Sequence, residues 1–139
     1  MNSQIIQPFA DQQERFVFID KTTILSFFNQ MIDKKMRFHC VTMPSRFGKT
    51  YIAQMMATYY SNQGNAREVF KDLKIGKDPS FESHLNKHFV INLDIAGICA
   101  GYPKEKAIER IKSEIGEKLQ SLFPDAALSS LSPRKRSSL

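Results

Sequence analysis

Gly48, Lys49 and Thr50 stand in a row, preceded by Pro44, Ser45, Arg46 and Phe47, in the segment MPSRFGKT. A lysine and a hydroxyl placed together after a glycine suit the handling of a phosphate chain. The lysine reaches the outer phosphates, the hydroxyl ligates magnesium, and the glycine lets backbone and phosphate approach closely. The general pattern is G-x-x-x-x-G-K-[ST], and Met43 occupies its first glycine position. A Gly-Lys-Thr triplet also arises by chance, so its setting decides what it is worth. The chemistry requires a strand that aims the chain, a turn of exposed N–H groups, and a helix whose positive end continues that row.

The flanking residues predict those elements in that order. Residues 38–43 (FHCVTM) read as a short buried strand, stopped by Pro44, which cannot donate to a sheet ladder. A helix is expected from about Lys49 to Ser61, because Ile52, Met55, Met56, Tyr59 and Tyr60 repeat on one face. On this reading residues 44–50 (Pro44, Ser45, Arg46, Phe47, Gly48, Lys49 and Thr50) hold phosphates, and Thr50 also ligates the metal.

The rest of the chain alternates in the same manner. Residues 16–19 suggest an extended piece, followed by a helix carrying Ile24, Leu25, Phe27, Phe28, Met31 and Ile32, with Asp20 or Thr22 as its cap. Residues 66–73 and 80–87 predict short helices, and residues 89–95 (FVINLDI) a second strand. A long helix is expected over residues 104–122, with Ala107, Ile108, Ile111, Ile115, Leu119 and Leu122 on one face. Strands alternating with helices predict an α/β sheet with parallel crossovers. Residues 1–124 are expected to form one domain, and the basic, Ser-rich residues 125–139 a disordered tail.

Composition narrows the partners. The net charge of +6 is concentrated partly in Arg134, Lys135 and Arg136. Without that tail the basic excess is mild, which gives weak support to nucleic-acid binding. Cys40 and Cys99 read as reduced core thiols, since two cysteines are too few for a disulfide scaffold. His84 and His88 lie four residues apart but have no third ligand, and read as solvated. No run reaches membrane-spanning length, and nothing at the N-terminus reads as a signal peptide, so a cytoplasmic protein is expected.

Four segments in order add a resemblance: FIDKT at residues 18–22, MPSRFGKT at 43–50, VFKDLKI at 69–75 and VINLDIAG at 90–97. They are similar to YVDKT, RPRRFGKS, LFKGL and LDFS of the bacterial AAA-ATPase-like proteins that end in a nuclease-like domain. There too the first glycine of the loop is replaced and a Pro-x-Arg-Phe-Gly-Lys core takes over. One family arginine is Ser45 here. The resemblance covers about residues 9–97 well and the following helix loosely, and the chain looks like the N-terminal half of such a protein.

The resemblance implies a P-loop NTPase-like three-layer sandwich in partial form, binding ATP and magnesium. It implies hydrolysis in full-length relatives through a later Asp-Glu strand that this chain does not contain. A protein partner or a second copy would then complete the sheet. Asp20, Lys21 and Thr22 either help to hold adenine or cap a helix, Arg46 either meets a phosphate or a neighbouring subunit or is solvated, and Asp94 either faces the metal through water or ends a strand. Two other functions stay open: a fragment that binds no nucleotide, and a module associated with nucleic acid.

Overall fold

The computed structural model describes residues 18–32, 34 and 38–124. The expected tail at residues 125–139 and the start of the extended piece at residues 16–19 lie outside them. The chain divides into two compact units, Met1–Asn92 and Leu93–Leu139.

The first unit holds α1 (Thr23–Met31), α2 (Lys49–Tyr60), α3 (Arg67–Phe70), a 3-10 turn (Lys74–Lys77) and α4 (Phe81–His84). Their apolar faces converge on Leu25, Phe28, Ile52, Met55, Tyr59, Tyr60, Phe70, Ile75, Phe81 and Leu85. Tyr59 sits at the centre, fully buried, with its ring edge-on to Tyr60 at 4.9 Å and to Phe70 at 5.4 Å. Such pairs add about 0.5–1.5 kcal/mol beyond the area they bury.

A buried polar group costs stability unless it is bonded. Asn29, inside this core, answers that demand fully. Its Nδ2 donates to Tyr59 Oη at 3.0 Å and Ser80 Oγ at 2.9 Å, and its Oδ1 accepts from Tyr60 at 2.8 Å. Tyr59 in turn donates to the Phe81 carbonyl at 2.7 Å. The network joins α1, α2 and the start of α4.

The three-layer α/β sandwich is not what forms. Among the described residues there is no strand, and the only β pairing is an isolated parallel bridge between Ser61 and His88. Residues 38–43 take part in no β pairing, and Phe38 is 97% exposed. Residues 89–94 form no strand, and residue 95 opens a helix instead of ending one. An apolar run becomes a strand only when a neighbour takes up its N–H and C=O groups. Cys40 is a free but exposed thiol, and Cys99 is free and half-buried, so neither is a core thiol.

The second unit contains α5 (Ile95–Cys99) and α6 (Lys104–Leu122), which pack on each other. Asp94 does not end a strand. Its Oδ1 accepts from Gly97 N at 3.1 Å and caps α5. The helix expected at residues 104–122 forms over that span, yet none of its residues is buried and Ile108 is 65% exposed.

Candidate functional site

Residues 44–48 form the turn that precedes α2. Phe47 N donates to the Pro44 carbonyl at 3.3 Å and closes it. Arg46 has φ 64° and Gly48 φ 89°, both in the left-handed region. Left-handed residues set among others swing successive N–H groups toward one side, the geometry of an anion-binding nest.

Helix α2 continues that row. Its first intrahelical bond runs from Ile52 N to the Gly48 carbonyl at 3.0 Å. Gly48 is its N-cap and supplies no side-chain acceptor, and the first turn carries no acidic residue. The first-turn donors and the positive end of the helix therefore have no side-chain cap or carboxylate on them from this turn.

Lys49 folds back over the turn. Its Nζ donates to the carbonyls of Met43 at 2.7 Å and Pro44 at 3.2 Å. Thr50 follows on the exposed first turn of α2, and Arg46 and Phe47 are exposed as well. Tyr51, next in line, is held neutral: burial, and then the Asp20 carboxylate, push its phenol up to about 12.

The other end of α2 is anchored. Asn86 reaches the carbonyls at that end, donating through Nδ2 to Ser61 at 2.6 Å and Thr58 at 3.3 Å and through its backbone N to Tyr59 at 2.8 Å. His88 N takes the Tyr60 carbonyl at 2.8 Å. These bonds satisfy the acceptors that a helix end leaves open and anchor the C-terminal end of α2.

The segment Asp20, Lys21 and Thr22 supplies a second brace. Asp20 Oδ1 accepts from Thr22 N at 2.8 Å and Thr22 Oγ1 at 2.7 Å, while Oδ2 accepts from Lys74 N at 2.8 Å. Fully buried Thr22 takes Ile75 N on its Oγ1 at 3.1 Å. Burial works against the Asp20 charge, but these bonds outweigh it and hold the carboxyl below its ordinary range. Thr22 is the N-cap residue of α1 by position, but no side chain caps that helix, so the expected capping role is replaced by a lock on the 3-10 turn. Between the two locked residues, Lys21 Nζ donates to the Phe47 carbonyl at 2.9 Å.

Pro44 to Thr50, the residues expected to hold phosphates, are consecutive and make up the turn and the first two residues of α2. Sequence reasoning named Lys21 only within a segment that holds adenine or caps a helix, not as a contact of the turn, and it missed Asn86. Lys21 lies 26 residues before the carbonyl it meets, and Asn86 stands alone between Leu85 and Lys87. Neither belongs to a periodic pattern. His84 and His88 are not separately solvated: Nδ1 and Nε2 lie 3.1 Å apart with the rings stacked. Among the described residues no group of three or more His, Cys, Asp or Glu side chains is arranged to hold a metal ion. Thr50 is the hydroxyl residue that directly follows the loop lysine in the chain. No helix among the described residues is long and apolar enough to cross a membrane.

Comparison with curated proteins and with solved structures gives no match. A family model does match: AAA-ATPase-like, described as predicted AAA-ATPase, over residues 5–137. That span includes the turn, α2 and both braces, and it takes in nearly the whole chain, so this protein belongs to the AAA-ATPase-like family.

Proposed function

We propose that the chain binds ATP through residues 44–50, with magnesium carried on the nucleotide and met by Thr50. The observation that supports this most is the turn itself: Arg46 and Gly48 in left-handed backbone, opening directly into an uncapped helix end with the Lys49 ammonium folded across it. Lys49 neutralises the outer phosphates. Backbone N–H groups of Gly48, Lys49 and Thr50 meet the inner ones. Thr50 is the residue here that would meet a magnesium ion carried on the nucleotide, and such an ion would offset part of the phosphate charge.

Hydrolysis needs a residue that orients the attacking water, and residues 44–50 carry no carboxylate or carboxamide for that role. The activity proposed for this chain is therefore binding, with turnover depending on residues beyond those described.

Nucleotide uptake raises the melting temperature by mass action; at a hundredfold excess over Kd the gain is about 2.7 kcal/mol. Wild type is expected to show that rise with magnesium-ATP, and Lys49→Ala to lose it. Equal stabilisation of both proteins would defeat the proposal. A second reading has its own support, because the segment leading into the turn is exposed and unpaired rather than held in a sheet. On that reading the chain alone binds nothing, and magnesium-ATP up to millimolar concentration leaves the melting temperature of wild type unchanged.

A further inference from the structure

We propose that Lys21 is a second phosphate-binding cation of this loop, supplied from the segment before α1; the inference rests on the loop reading above. Two ammonium groups reach the same short turn from different parts of the chain. Lys49 Nζ bonds the carbonyls at its beginning, Met43 and Pro44, and Lys21 Nζ bonds the carbonyl of Phe47 near its end. The Lys21 ammonium also hangs over the glycine that opens α2, since a Cβ added at Gly48 would lie 3.3 Å from Nζ. It thus stands beside the donors of the helix end.

The backbone on either side of Lys21 is fixed independently of the loop. Asp20 is bonded to Lys74 N and Thr22 to Ile75 N, so both neighbours are tied to the 3-10 turn. A lysine anchored in this way delivers its charge to one place at a lower entropic cost than a free surface lysine. A tripolyphosphate carries several negative charges, and one lysine with a helix end leaves part of that charge unmatched. Lys21 can exchange the neutral Phe47 carbonyl for a phosphate oxygen, which is the stronger acceptor. The ligand class is a nucleoside di- or triphosphate, recognised here through its phosphates and not its base.

The test uses the full chain with magnesium-ATP, ADP, AMP and tripolyphosphate by titration calorimetry, in wild type, Lys21→Met, Lys21→Gln, Lys21→Arg and Lys49→Ala. Losing a charge-assisted bond to phosphate raises Kd by roughly ten- to a hundredfold. That increase is expected for ATP and tripolyphosphate in Lys21→Met and Lys21→Gln, with less for ADP and under about twofold for AMP. Lys21→Arg keeps the charge and is expected to restore most of the affinity. Glutamine retains a donor for the Phe47 carbonyl, so its melting temperature without ligand separates bracing from charge. Wild-type affinity for tripolyphosphate in Lys21→Gln, or an equal loss for ATP, ADP and AMP, would overturn the role of Lys21 while leaving the loop reading intact. If wild type takes up no ATP, or Lys49→Ala binds it as well as wild type does, both fall together.

Discussion

Two residues in the turn carry unusual backbone, and they carry it differently. Gly48, at φ 89°, has no Cβ to resist that conformation, whereas Arg46, at φ 64°, does. A left-handed residue with a side chain costs roughly 1–2 kcal/mol. Gly48→Ala is therefore expected to lower stability in denaturant melts by about that amount. The new Cβ, 3.3 Å from Lys21 Nζ, asks only a small shift of that flexible ammonium, so the backbone conformation carries the cost. A melt unchanged by this substitution would show that the turn does not hold that backbone. Asp20 gives a pH-dependent test. Its folded carboxyl titrates below the ordinary value, so its contribution is present above about pH 4 and is lost as pH falls through the folded value. Asp20→Asn is expected to lower the melting temperature at neutral pH and to flatten the decline below about pH 4. An acid limb as steep as that of wild type would place the titrating group elsewhere, with Asp78 the next carboxylate held low, by bonds from Ser26 and Ser80. The sequence displayed Gly48, Lys49 and Thr50 because their chemistry depends on adjacency. It did not display Lys21 because that contact depends on how Thr22 and Asp20 seat against residues more than fifty positions away.

Helices were legible where a stripe of apolar residues repeats at the helical period. Helix α2 buries Ile52, Met55, Tyr59 and Tyr60 from its predicted face, and it ends at Tyr60, close to the expected Ser61. Its C-terminal anchor was not legible, since a single asparagine outside the helix shows no periodicity. Asn86 holds φ 54°, a conformation that asparagine tolerates better than most residues, and it closes the carbonyls of Thr58, Tyr59 and Ser61. It also accepts Ala66 N at 2.8 Å, so α3 begins from the same residue. Asn86→Ala is expected to cost about 1–3 kcal/mol, because it leaves part-buried partners unbonded and forces alanine into left-handed backbone. Asn86→Gly relieves the backbone and removes the same side-chain bonds, so the difference between the two melts isolates the strain. Equal losses would assign the whole effect to the missing bonds.

At the scale of the whole molecule, the failed expectation is the sheet. Residues 38–43 have the composition of a buried strand, and composition reports only that side chains favour burial. It does not supply the neighbour whose carbonyls and N–H groups a strand must share. Among the described residues none pairs with this segment, and the first unit is held instead by helices around Tyr59 and by the Asn29 network. The two architectures differ sharply in backbone protection. Amides within a packed helix exchange only on large opening events, and an unpaired exposed segment exchanges close to the free-chain rate. Hydrogen exchange on the full chain is therefore expected to label residues 38–43 within the earliest time points while the core side of α2, around Met55 and Tyr59, stays protected. Protection of residues 38–43 comparable to that of α2 would mean that the segment pairs in solution, and would reverse the structural conclusion drawn from its exposure. Repeating the measurement with saturating magnesium-ATP reads the turn itself: slower exchange confined to residues 47–51 is expected if phosphate engages those N–H groups, whereas an unchanged pattern at the turn would leave the helix end without its ligand.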